Sequence, residues 1–266
     1  MKKVSFLVVL VILLSVALLA GCQGSLVTQL ETPQPIPDNA KLVWIFFDDC
    51  WQDQFDTALP VLKQNGFKAT FGVIIDGIGG GEEGYKKYMG EKELKKLADS
   101  GMEIACHSWT HPNLAENLSD QELQHEIIDS KKYLEDMGFK INTFVYPYYA
   151  WDERVINYVK NADYVCARAG WPDEEPFDLS LTNPDKRYHI PNYQIIGQNL
   201  AAFKSIVNQA SRSSIVCITY HHIVDNGPET TSTPVANFVE QMTYLKEAGF
   251  TVIILPDYFL AGFLLK

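Results

Sequence analysis

The chain is short of positive charge. Its 266 residues hold 22 lysines and arginines against 33 aspartates and glutamates, a formal net charge of −11. Such an acidic surface argues against nucleic acid or anionic polymers as partners and leaves neutral or cationic glycans open. Cysteine is scarce too. There are five, none in Cys-x-x-Cys spacing, so a structural zinc knuckle is not expected. No Gly-x-Ser-x-Gly occurs, which removes the nucleophile elbow of many serine hydrolases. The glycine-rich stretch 77–84 lacks the strand–turn–helix setting and the Lys-Ser/Thr of a phosphate loop, and reads as a surface turn. No internal repeat is visible.

What is present begins with an address. Lys2 and Lys3 precede an apolar run from Val4 to Ala20, which ends in Leu19-Ala20-Gly21-Cys22. A charged start, an apolar middle and a small-residue end make a secretory signal. The last four residues resemble a bacterial lipobox. That would make 1–22 a lipoprotein signal, with lipidated Cys22 as the mature first residue; an uncleaved N-terminal anchor is the alternative. Either places the folded part outside the cytoplasmic membrane, anchored at the cell surface or envelope. Residues 23–40, with Pro33, Pro35 and Pro37, read as an extended tether. About 225 residues remain, enough for one sizeable core and large for two. Cys50, Cys106, Cys166 and Cys217 each sit at or near the end of an apolar run and are expected as buried free thiols. Pairing cannot be read from sequence, and a Cys50–Cys106 disulfide stays open.

From residue 41 onward strand and helix patterns alternate. Strands are expected at 44–47, 68–75, 102–106, 140–146, 164–167, 214–220 and 251–255. Helices are expected at 55–66, 91–100, 119–137, 152–161 and 235–248. Ser119 with Glu122 forms a capping box. Repeated β-then-α units imply a parallel sheet covered by helices, and the length suits a (β/α) barrel, closed or incomplete.

The chemistry collects at strand ends. The run Trp44-Ile45-Phe46-Phe47 stops at Asp48-Asp49, two acids whose side chains point to opposite sides of a strand. The strand ending at Cys106 runs into His107-Ser108-Trp109-Thr110-His111. Two imidazoles four residues apart can reach one ion. A third strand ends in Pro147-Tyr148-Tyr149 and a fourth in His221-His222. In a parallel barrel all these ends open on one side, where ligands bind.

These motifs resemble the polysaccharide deacetylases of the NodB-homology type, the fourth carbohydrate esterase family. Phe46-Phe47-Asp48-Asp49-Cys50 resembles the family's first motif and His107-Ser108-Trp109-Thr110-His111 its second. Phe144-Val145-Tyr146-Pro147-Tyr148 resembles the third, and Thr219-Tyr220-His221-His222-Ile223 the last. The resemblance covers roughly 41–260. It implies a distorted or incomplete barrel and a metal-dependent hydrolase that removes N-acetyl groups from amino sugars of an envelope polymer or exopolysaccharide. By the same resemblance Asp49, His107 and His111 bind one divalent metal ion. Zinc suits that set best; nickel, cobalt and iron are also accepted. Asp48 becomes the general base, the backbone N–H of Tyr148 the oxyanion donor, and His221 the general acid, with His222 its neighbour.

The chain departs from the family pattern at two places. Cys50 stands where the family usually has Gly. Val145 stands where it has the Arg that orients the base, and Arg168 is the candidate substitute. The group that tunes His221 is not placed; Trp171, Asp173 and Asp178 lie in the plausible region. Trp51, Trp109, Tyr148, Tyr149 and Trp151 cluster near the motif ends, where they could stack on sugar rings or simply pack the rim. A non-catalytic glycan-binding relative and a metal-dependent amidase on a non-sugar substrate are the competing readings.

Overall fold

The computed structural model describes residues 33–81, 84–170, 174–180 and 183–262. The signal, Cys22, most of the tether, Trp171 and Asp173 lie outside the described residues.

Six parallel strands make the main wall. They are β1 (Leu42–Phe47), β2 (Thr70–Val73), β3 (Glu103–Cys106), β4 (Thr143–Val145), β5 (Cys166–Arg168) and, after short β6 (Phe177–Asp178) and β7 (Tyr193–Gln194), β8 (Ser214–Tyr220). The order is β5-β4-β3-β2-β1-β8. β9 (His222–Ile223) pairs with β10 (Ser232–Thr233), and β11 (Thr251–Val252) pairs with the start of β1. Ile190 bridges to Arg168 on one side, and three residues later β7 pairs with β8. The segment 190–194 therefore links the two ends of the curled sheet into a half-barrel.

β1 is fully buried, and its two faces serve different cores. Val43, Ile45 and Phe47 pack with the apolar faces of the helices. Leu42, Trp44 and Phe46 pack inward with Ala105, Val145, Cys166, Ile190 and Cys217. A strand buried on both faces reads as a continuous apolar run, and this is why β1 lacks alternation. Each such large side chain contributes about 1.5–3 kcal/mol. The period-two pleat carries the inward face on to Asp48, two residues past Phe46, and to Arg168, two past Cys166.

The helices are α1 (Leu59–Asn65), α2 (Glu91–Asp99), α3 (Asp120–Leu123), α4 (Ser130–Asp136), α5 (Glu153–Asn161), α6 (Leu200–Val207), α7 (Val235–Glu247) and α8 (Leu255–Leu260). Their boundaries follow local chemistry. Ser119 and Glu122 cap α3 reciprocally, and Asp152 accepts from Val155 N–H at 2.8 Å to open α5. α1 ends on Gly66 at φ +73°, a left-handed turn that glycine makes without strain.

Several expectations change, among them the strand expected at 68–75, which spans only Thr70–Val73. The last strand is only Thr251–Val252, because Pro256 in its first turn starts α8 instead. The strand expected at 140–146 pairs only over 143–145. The helix expected at 119–137 is interrupted by a π-helical stretch, Gln124–Asp129, and a second π-helical turn, Gln54–Ala58, precedes α1.

Candidate active site

Strand ends of β1, β3, β4, β5 and β8 meet at one mouth. Asp48 is buried there, and Arg168, wholly buried, donates from Nη2 to both Asp48 oxygens at 2.6 and 2.5 Å. The guanidinium also donates from Nη1 to Ala169 O at 3.1 Å and lies over the rings of Phe46 and Tyr149. Val145 and Arg168 are direct cross-strand partners. The cation absent at Val145 is thus supplied from the neighbouring strand at the same level of the sheet.

Asp49 points the other way, toward His107 and His111. Its Oδ1 lies 3.5 Å from His107 Nε2 and 3.6 Å from His111 Nε2, and the two Nε2 atoms are 3.1 Å apart. His107 Nδ1 sits 2.8 Å from Val145 O, a carbonyl that can only accept. The proton therefore belongs on Nδ1, leaving the Nε2 lone pair directed into the cluster. Burial, with a smaller push from His107, brings His111 down to about 4, so its ring is neutral at ordinary pH. Burial alone would raise Asp49. A proton on a neighbouring imidazole, His107 first, outweighs it and holds the carboxyl well below its usual range, as a bound cation would. One carboxylate oxygen and two imidazole nitrogens within 4.8 Å of one another are the donor set of an open divalent-metal site, and they fit one.

His221 joins from β8, with Nε2 3.9 Å from Asp48 Oδ2. Its Nδ1 is buried with no hydrogen-bond partner. Asp178 does not tune it. That residue is exposed, bonds Ser180, and pairs with Ser214 at the opposite end of β8. His222 turns away and pairs with Asp53 at 2.8 Å. Of the aromatics, Tyr148 alone stays open, 64% exposed with its ring 4.7 Å from that of His111. Trp51 lies between Tyr88 and His222, Trp109 against His125 and Tyr133, and Trp151 against His189.

The backbone of this mouth is strained. Asp49, Cys50, Ser108, His111, Tyr148 and Tyr149 all have φ between +54° and +73°. Cys50, at φ +67°, occupies a left-handed position that explains a glycine preference there. It is a buried free thiol, as are Cys106, Cys166 and Cys217, so no Cys50–Cys106 bridge forms.

Two positions that hold this backbone escaped the motif reading. Gln54 donates from Nε2 to Asp48 O and to His221 O, tying β1 to β8. Glu126 accepts from Trp109 N–H, Thr110 N–H and Thr110 Oγ1–H at 2.7–2.8 Å, which fixes the His107–His111 loop. A charged residue on the inward stripe Leu123, Ile127, Leu134 was the available signal for Glu126. A cavity of about 730 Å³ is lined by Asp38, Lys41, Leu179 and Arg212. It lies at the amino ends of β1 and β8, away from the carboxylates.

The fold and site together are a parallel half-barrel with a carboxylate–imidazole cluster and a buried acid–guanidinium pair at one mouth. Residues 36–167 match the family model for polysaccharide deacetylase. Over these residues the chain is similar to polysaccharide deacetylase domains of the NodB-homology, fourth carbohydrate esterase type. YxkH of Bacillus subtilis strain 168 is 34% identical over 125 residues, 47% of this chain and 43% of YxkH. The poly-beta-1,6-N-acetyl-D-glucosamine N-deacetylase of Staphylococcus aureus strain MRSA252 is 30% identical over 166 residues, 58% of this chain and 54% of that protein. The chain thus spans about half the length of these two relatives. The peptidoglycan-N-acetylglucosamine deacetylase of Bacillus cereus is 25% identical over 223 residues, 84% of this chain and 90% of that protein. The Xyl-CE4 domain of a xylanase from the hindgut metagenome of Trinervitermes trinervoides shares the fold, with a TM-score of 0.57 at 20% identity over 84% of this chain and 92% of that one.

Proposed function

We propose that this chain is a metal-dependent deacetylase that hydrolyses N-acetyl groups on amino sugars of an extracellular or envelope polymer. The observation that carries the reading is the pairing, at one mouth, of the Asp49–His107–His111 cluster with the buried Asp48–Arg168 pair. Asp49, His107 and His111 would hold a divalent ion, which would supply Lewis acidity to an acetamide carbonyl and to water. Zinc suits one carboxylate and two imidazoles. Asp48, oriented by Arg168, takes the proton from the attacking water as general base. The backbone N–H of Tyr148 donates to the oxyanion that forms. His221 gives a proton to the departing amine, which is a poor leaving group without it. The names of the Staphylococcus and Bacillus cereus relatives support an N-acetylglucosamine polymer as substrate.

The protein is read as a lipoprotein tethered through Cys22, with the domain outside the cytoplasmic membrane. Intact mass of the mature chain checks this: it should begin at a diacylated Cys22.

The activity is tested by acetate release from N-acetylglucosamine oligomers, with zinc, with a chelator, and with Asp48→Asn. Release that needs both the metal and Asp48 is expected. Zinc uptake with no acetate from any N-acetylated glycan overturns the reading.

A further inference from the structure

Asp49 offers its two oxygens to different partners. Oδ1 faces the imidazoles, and Oδ2 accepts from the indole Nε1–H of Trp51 at 3.1 Å. Trp51 cannot turn freely. Its ring lies between Tyr88, with centroids 4.3 Å apart, and His222, at 4.4 Å. Backbone bonds Gln52 N–H to Lys87 O and Met89 N–H to Cys50 O fasten the chain around Trp51 to the loop that carries Tyr88. His222 is fixed from behind. Asp53 Oδ2 accepts from its Nδ1–H at 2.8 Å, and Asp53 Oδ1 accepts from Ile223 N–H at 2.6 Å. Both Asp53 and His222 are buried.

We propose that Trp51 is a positioning residue that makes Asp49 a one-oxygen ligand. The indole holds Oδ2 and leaves Oδ1 alone for the cation, while Tyr88 and the Asp53–His222 pair hold the indole. The inference rests on the three-donor metal site of the proposed function. A carboxylate free to swing loses the fixed orientation that presets Oδ1 toward the ion, which weakens binding, and it can bring its second oxygen into a position that substrate needs. Partners of the ligands outside the coordination sphere commonly alter metal affinity or activity by about 10–100-fold.

The test uses the full chain in non-ionic detergent, titrated with Zn²⁺ against a chelating dye and with Co²⁺ followed by its visible spectrum, without substrate. Trp51→Phe keeps an aromatic ring between Tyr88 and His222 and deletes only the N–H and the ring's outer part. Its zinc Kd should rise about tenfold or more. Its cobalt band should weaken as the coordination number rises, while the melting temperature of the metal-free protein stays within a few degrees. Tyr88→Leu, which frees one face of the indole and keeps its N–H, should move zinc affinity the same way by less. A Trp51→Phe Kd within twofold of the parent, with superimposable cobalt spectra and a parent that binds zinc and releases acetate, overturns the inference alone. A parent chain that takes up no zinc overturns the metal-site reading and this one with it.

Discussion

Removing Arg168 gives the sharpest test of how the mouth is held together. Arg168 and Asp48 are both buried, and one nitrogen contacts both carboxylate oxygens. Arg168→Met fills much of the same volume between Phe46 and Tyr149 but leaves a buried carboxylate without its cation. Breaking one side of a buried pair costs about 3–5 kcal/mol. For a domain of this size that lowers Tm by roughly 10 °C. Asp48→Asn strands the guanidinium instead and should also destabilise. The double variant leaves neither charge unpaired, and replacing a buried pair by neutral groups is often close to neutral. The double-mutant cycle should therefore show a coupling of at least about 2 kcal/mol, read from urea unfolding at neutral pH. All three variants should lose acetate release. Additivity of the single losses to within about 0.5 kcal/mol would refute the argument, because the two charges would then not be stabilising one another.

Glu126→Gln keeps the size and loses the charge that gathers three donors from the His107–His111 loop. Zinc affinity should fall about tenfold, measured by dye competition. Glu103 makes stability depend on pH: burial pushes its carboxyl from 4.5 up to about 7, against hydrogen bonds from Thr70 and Thr143 that favour the charge. Between those values the folded state holds the extra proton, so the contribution is complete below pH 4.5 and lost as pH rises through 7. At most about 3 kcal/mol is involved, and less because Glu103 is partly exposed at a cavity edge; Glu103→Gln should flatten the Tm profile between pH 5 and pH 8. Burial pushes the Cys50 thiol up to about 12, and Cys106, Cys166 and Cys217 are shifted upward by the same cause. None of these four should react with a thiol reagent until the protein is unfolded, when all four should.

Strand positions were legible where an apolar run stops abruptly at polar residues, as at Phe47–Asp48 and Tyr220–His221. Strand lengths were not. Ile253, Ile254 and Leu255 are as apolar as strand residues, but only Ile253 still bonds β1, through its N–H to Val43 O, before Pro256 turns the chain into α8. Two-residue β6 and β7 carry no periodic signal, and they decide where the half-barrel ends meet. At the site, the chemical groups were readable from residue type and order. Arg168 was findable because a missing cation at Val145 must be replaced by one within reach, and the register of β4 and β5 puts it directly opposite. Gln54, Asp53 and Glu126 were not found. They act by bonding backbone or a neighbouring imidazole, and no motif encodes a backbone that has to be held.

That holding is what the rest of the mouth is built to do. A left-handed residue that is not glycine costs about 1–3 kcal/mol and persists only where its surroundings over-determine it. Six of them occur in the loops after β1, β3 and β4. Each of the first two loops is gripped by a residue of a π-helical turn: Gln54 on the carbonyl of Asp48, and Glu126 on the amides of Trp109 and Thr110. A π-helical turn places one more residue in its ring than an α-turn does, which shifts the facing of every residue before it relative to those after it. Gln54 and Glu126 can then face the sheet ends while the apolar stripes of α1 and α4 still face the core. Straightening either turn into α-helix would force a choice between the core contact and the loop contact. The π-turns and the strained loops are therefore one construction: the helices give up regularity so that backbone which would otherwise relax stays in place behind Asp49, His107 and His111.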